Sequence, residues 1–166
     1  ITKDIIMKRV FLILLVAVTT GVFAQTSDKE DLEVIQGIYG KSKKELAVAY
    51  MAIPEAQSAA FWKTYDEFEM ERKALGKAKI AIINDYASNY AGLTDESADK
   101  IAKESLKNNA DYQKLLSKYY GKYKKVVGAV SAAKIIQFEN YMQTTVNSEM
   151  QEAIPFIGEM EAIKTK

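Results

Sequence analysis

Between Phe61 and Tyr90 the chain reads FWKTYDEFEMERKALGKAKIAIINDYASNY. Phe61, Tyr65, Phe68, Leu75, Ile82, Tyr86 and Tyr90 recur at steps of three, four or seven. That period sets them along one side of a long helix. A helix with one apolar side needs cover, so the rest of the chain is constrained to supply it. Pro54 suits the first helical position and Glu55 the positive end of the helix dipole. From there to Tyr90 the spine spans roughly 54 Å. Gly76 is its one soft point, a site for a bend or a close contact, and Gly92 is expected to end it as a left-handed cap.

Two further long helices follow. Thr94 is a good N-cap, with Asp95 and Glu96 in the first turn. The stripe behind it runs through Ala98, Ile101, Ser105, Tyr112, Leu116, Tyr119, Tyr123 and Val126, and is thinned by Ser105, Asn108 and Asn109. Gly128 closes that helix. Ser131 is expected to cap the next, whose apolar side is Ile135, Ile136, Phe138, Met142, Val146 and Met150. Pro155 ends or kinks it, and Ile154, Phe156, Ile157 and Met160 form an apolar tail.

Upstream, Val34, Ile35, Ile38, Leu46, Tyr50 and Ile53 follow a looser helical spacing interrupted by Gly37 and Gly40. Each glycine costs about 1 kcal/mol in a helix interior. The pattern allows one weak helix or two short ones, near 30–39 and 42–52. Short connections imply antiparallel neighbours. The expected fold is all-α: an antiparallel bundle or extended helical hairpin of three long helices plus a weaker N-terminal one.

The first residues read as an export signal. Ile1 to Ile6 precede the first plausible start, Met7, and are taken as upstream residues 1–6. Lys8 and Arg9 then lead into VFLILLVAV, and Val22-Phe23-Ala24 suits a cut between Ala24 and Gln25. Nine apolar residues are too few for a span, which needs about 20. The expectation is a cleaved leader at 7–24, a single helical domain at 25–166, a periplasmic location and no stable membrane insertion afterwards. Lys3, Lys8 and Arg9 leave with Asp4, so the net charge moves from +1 to −1. A near-neutral chain gives no general case for nucleic acid or acidic lipid.

Cysteine and histidine are both absent, which removes disulfides, the commonest metal ligand and the commonest general base at neutral pH. A carboxylate bundle site for two metals ordinarily needs Glu-x-x-His pairs. No Asp/Asn-Gly loop supports an oxygen-only cation site, and no phosphate loop or nucleophile elbow is present. The reading is non-enzymatic, with no cofactor and no metal.

Three constellations remain. From Asp99 to Lys125 there are eight Lys against three acids, while Glu139 to Glu161 holds five Glu and no Lys or Arg. The ordinary account is adjacent helices pairing solvated faces. The functional account is a cationic face, carried by Lys107, Lys114, Lys118, Lys122, Lys124 and Lys125 beside Tyr119, Tyr120 and Tyr123, offered to a protein partner. Second, Trp62, Ile83 and Tyr90 lie one step off the main stripe, as do Leu115 and Tyr120 on the next helix. Most aromatics at helical spacing are core, but this surplus could form a dimer seam or an exposed groove. The candidate partner-binding residues are therefore Trp62, Leu115, Tyr120, Lys107, Lys114, Lys118 and Lys122. Third, Arg72 falls on the apolar stripe and Glu139 beside Phe138, so the two are expected to form a partly buried structural ion pair.

Leu93-Thr94-Asp95-Glu96 before a long helix resembles the L-T-x-x-Q element of Spy/CpxP-type periplasmic proteins, with Ser97 in place of the Gln. Gln57 matches the end of a second copy, with Ile53-Pro54 in place of its Leu-Thr. Over about 45–158 the chain also resembles a family of exported bacterial helical proteins. The shared features are Phe61, Trp62 and Tyr65, the segment from Asp85 to Tyr90, and Phe138 to Asn140 followed by Ile154-Pro155. The Spy-type resemblance implies an ATP-independent chaperone or envelope-stress role. The expected function is a periplasmic binding protein for unfolded or envelope proteins. The alternative is a structural adaptor that forms a homodimer through its second apolar stripe.

Overall fold

The computed structural model describes Ile35 and residues 37–154. The expected upstream residues, the leader with its Ala24/Gln25 cut, and the tail from Pro155 lie outside the described residues. Within them the protein is all-α, with no strand. Helix α1 is Lys43–Met51 and α2 is Glu55–Asn89. A 3-10 turn, Tyr90–Gly92, leads to a helical run, Asp95–Ala153, broken at Gly128. The two parts of that run are α3 (95–127) and α4 (129–153).

Local chemistry explains the boundaries. Gly40 has φ +65, so the backbone turns before α1 in a conformation that favours glycine. Ser42 caps α1: its hydroxyl accepts from the Glu45 N–H, and its own N–H donates to Glu45 Oε2 at 2.8 Å. Thr94 caps α3 in the same way, with Ser97 as the reciprocal partner. Gly128 breaks the run with φ 78 and ψ 169. It is the sole non-helical residue there, so Ser131 sits inside α4 and does not cap it. The left-handed cap expected at Gly92 is also absent: α2 tightens into the 3-10 turn, and Leu93 is extended.

The long helices run antiparallel in turn. Phe61 meets Tyr123, Phe68 meets Tyr119, Leu75 receives a hydrogen bond from Asn108, and Asp85 pairs with Lys100. These contacts climb α2 while descending α3. Helix α4 runs alongside α2, with Asn147 accepting from Lys79. Helix α1 packs against α2, where Lys44 meets Asp66, and antiparallel to α4: Tyr50 stacks on Phe138, and Tyr39, ahead of α1, donates to Tyr141.

Most of the core sits where α1 is present. Phe61, Tyr65, Phe68, Tyr119, Tyr123, Ala132 and Ile135 are at most 1 % exposed. Rings meet edge-on or tilted, as Phe68 and Tyr119 do at 5.3 Å. Each large buried side chain contributes about 1.5–3 kcal/mol through burial.

The stripe weakens past Leu75. Ile82 and Tyr86 are half-buried and Tyr90 is exposed, while Ile80 takes the inward position. A step of seven drifts about 20° on a straight helix, so counting by sevens walks off the buried side. On α1 the buried line is Lys43, Ala47 and Met51, one step from the expected Leu46 and Tyr50.

Candidate functional site

A group of four charges lies at the heart of the bundle. Lys43 enters from α1, Glu69 and Arg72 from α2, and Glu139 from α4. Lys43, Arg72 and Glu139 are buried. Lys43 donates to Glu69 at 2.7 Å and also to Glu139. Arg72 Nε donates to Glu69 at 3.0 Å. Arg72 and Glu139, singled out in the sequence, are thus in one cluster, joined by two residues the sequence did not flag. Among the described residues its two cations and two carboxylates balance, which lowers the cost of burying them together.

Its electrostatics are asymmetric. Burial pushes the Glu139 carboxyl above its ordinary value, and nearby Lys43 offsets only part of this. Burial also acts on Glu69, but Lys43 and Arg72 together outweigh it and hold that carboxyl low. Tyr65 and Tyr123 are pushed up, by burial first and by the Glu139 charge second. Glu139 Oε1 and both phenol oxygens are buried without a hydrogen-bond partner among the described residues.

Beyond the cluster the helices separate into a cleft of about 430 Å³. Arg72, Leu75, Gly76 and Lys79 line it from α2, and the stretch 108–110 with Tyr112 and Gln113 from α3. Asn140, Gln143, Thr144 and Asn147 complete it from α4. Several of these groups are already held in place. Asn108 donates to the Leu75 carbonyl at 3.0 Å, Gln143 donates to Asn147 Oδ1 at 2.9 Å, and Lys79 donates to that same oxygen. A small cavity of about 10 Å³ beside Glu139 shares Arg72 and Gln143 with the cleft.

Four of the six lysines of the expected cationic face pair within the molecule, with three carboxylates between them. Lys107 and Lys114 both pair with Asp111, at 2.8 and 3.0 Å. Lys118 bridges to Glu71 at 2.7 Å and Lys122 to Glu67 at 3.0 Å. The Lys118 ammonium and the Tyr119 hydroxyl bind the Glu71 carboxylate and lower its pKa. The positive helix α3 therefore pairs mainly with acids of α2 and its own, and α4 supplies none of these carboxylates.

The second apolar stripe also resolves differently. Leu115 is only 6 % exposed and belongs to the core. Trp62 is half-buried against the core, edge-on to Phe61 at 4.9 Å and to Tyr65 at 5.5 Å. Tyr120 alone of the three has substantial exposure. Exposed apolar side chains also occur at Ile38, Val48, Tyr50 and Tyr141. Val48 shares the side of Lys44, which faces Asp66 of α2, whereas Tyr50 and Tyr141 lie beside the contact between α1 and α4. The Tyr39–Tyr141 hydrogen bond, 3.2 Å, ties the segment before α1 to α4 on this face. The sequence pointed to these residues only as core candidates or not at all, because α1 is too short for its period to fix a face.

Among the described residues no helix is long and apolar enough to cross a membrane. No group of three or more acids, His or Cys among them is placed to hold a metal ion. Comparison with protein-family models, with curated proteins and with solved structures found no match.

Proposed function

We propose that this is a non-enzymatic binding protein of the bacterial periplasm that captures partly unfolded proteins. The leader-like segment 7–24 supports the location. The observation that carries the binding role is the exposed apolar surface beside the contact between α1 and α4, where Tyr50 and Tyr141 are 42 % and 59 % exposed. Tyrosines offer apolar area with a polar tip and lose little conformational freedom on contact. The lysines of α3 contribute less than their number suggests, since each of the four candidates already faces a carboxylate.

The decisive assay is light scattering from an unfolding client protein. Equimolar protein at low salt suppresses aggregation, and Tyr50→Ser with Tyr141→Ser removes most of the effect. Lys118→Gln leaves it nearly intact. Absence of any protection ends the chaperone reading.

The second reading is an envelope adaptor whose exposed α1/α4 face meets a second copy. Sedimentation distinguishes the two: a tight dimer that binds no apolar dye supports the adaptor.

A further inference from the structure

We propose that this chain forms an exchanged dimer with a second copy of itself: the break at Gly128 straightens, and each copy packs its α4 into the bundle of the other.

The hinge carries this. Helices α3 and α4 reverse direction across one residue, and every other residue of Asp95–Ala153 is helical. So short a hinge lets an element leave its own chain and pack identically on another. Only φ 78 and ψ 169 at Gly128 separate the hairpin from one continuous helix. A Cβ at that position meets nothing within 4 Å, so no neighbouring side chain holds the bend in place. Straightened, the 59 residues extend roughly 88 Å.

What α4 leaves and what it finds are the same. Its buried side chains are Ala132, Ile135, Phe138, Glu139, Met142 and Val146. They pack through contacts such as Tyr50 with Phe138 and the Lys43 bond to Glu139. A second copy offers the same partners, so a completed exchange leaves the core unchanged. The balance then falls on the hinge, on the entropy of association and on what the two copies add where they cross.

Tyr112 of α3 donates to the Glu139 carbonyl of α4, and this register puts the crossing within one turn of Gly128. Val130 lies in that turn and is 85 % exposed, with Val126 and Val127 half-buried nearby. A second copy there covers apolar surface that the closed chain leaves in water. Lys124 and Lys125 are exposed at the same place, so like charge opposes the dimer at low salt and screening favours it. The α1/α4 face is rebuilt at both ends of the dimer and stays open. This inference therefore neither needs nor removes the client-binding role, and its dimer binds an apolar dye where the adaptor's does not.

The test refolds the full chain from urea at about 1 mM in about 0.5 M salt, dilutes it about a hundredfold and measures its mass by light scattering after chromatography. A dimer fraction outlasts the dilution, because return to monomer requires α4 to leave its core. Gly128→Ala strains the hairpin and suits the straight helix, twice per dimer, and raises the association constant at least about thirtyfold. Inserting Gly-Ser-Gly after Gly128 gives a loop that reverses the chain freely, and lowers the dimer fraction. Topology is read by Tyr39→Cys with Tyr141→Cys, whose parent residues touch and whose chain has no other Cys. A short bismaleimide then joins two chains in the dimer fraction, which runs at double mass on a denaturing gel. The proposal is overturned if the parent yields no dimer, or if the crosslinked dimer runs as single chains. It is equally overturned if Gly128→Ala, folded, associates no more than the parent, or if the insertion leaves the dimer fraction unchanged.

Discussion

The two halves of this bundle are built from the same three long helices, yet they solve different problems. Where α1 is present, α2 offers Phe61, Tyr65 and Phe68, and α3 and α4 return Tyr119, Tyr123, Ile135 and Phe138. Those side chains are nearly all sealed from water. Past Arg72 the same helices carry Gly76, Asn108, Asn109 and Asn147, and between 75 and 111 only Ile80 and Asn108 are buried. The dry half holds the helices together, and the wet half holds them apart. The four-charge cluster sits at the junction. A group whose charges balance among the described residues tolerates apolar neighbours on one side and a polar cleft on the other.

The contrast breaks most visibly at the aromatics. Phe68→Ala is expected to cost about 3–5 kcal/mol, because the site is walled by rings that cannot close over the void. Ile80→Ala, on the wet side, should cost about 2 kcal/mol or less. Urea unfolding of both variants checks the ranking, and equal losses would erase the distinction between the halves.

The junction comes next. Lys43→Met leaves Glu139 buried without the cation that donates to it, a loss of about 3–5 kcal/mol. Adding Glu139→Leu to Lys43→Met should recover most of that, since an apolar pair suits a buried site at least as well as an ionic one. A double variant as unstable as the single one would show that the cluster is held by something other than charge balance.

Backbone conformation predicts a smaller pair of opposite signs. Gly128→Ala is expected to destabilise by about 1–3 kcal/mol, since φ 78 with ψ 169 is a glycine conformation and no packing compensates. Ala52 has φ 48, so Ala52→Gly should stabilise by up to about 1 kcal/mol. Thermal unfolding measures both.

The smallest effect is a pH dependence. The folded-state pKa of Glu139 is raised above 4.5, so the native state holds its proton more tightly than the unfolded chain does. That contribution is complete below the unfolded value and is lost as pH rises through the folded one. Glu69 works in the opposite sense, losing its contribution as pH falls. Glu139→Gln removes the Glu139 part and, by ending the repulsion between the two carboxylates, lowers Glu69 further, which moves the difference in the same direction. The stability difference between them should favour the parent most in acid and decline as pH rises. A difference that grows with pH would reverse the assignment.

Much of the dry half was legible in the sequence, because aromatic and aliphatic residues at helical spacing leave one way to face. The Thr94 cap and the Gly128 break were legible for local reasons, a side-chain acceptor and a missing Cβ. Arg72 and Glu139 were recognisable as charges on apolar stripes. Lys43 was not, since α1 has only nine residues and its Leu46 and Tyr50 suggest a neighbouring face. Leu115 was misplaced outside the core because one helix's period cannot say how many neighbours cover it. The cleft left separate traces, Gly76 on one helix and Asn108-Asn109 on another, and only the antiparallel register brings them to one level.

Hydrogen exchange of the native protein, resolved by segment, tests the central claim most directly. Amides of 61–72, 115–123 and 132–139 should exchange only through global unfolding, and those of 80–106 much faster through local opening. Uniform protection along α2 and α3, or slower exchange in the polar half, would contradict the division on which this account rests.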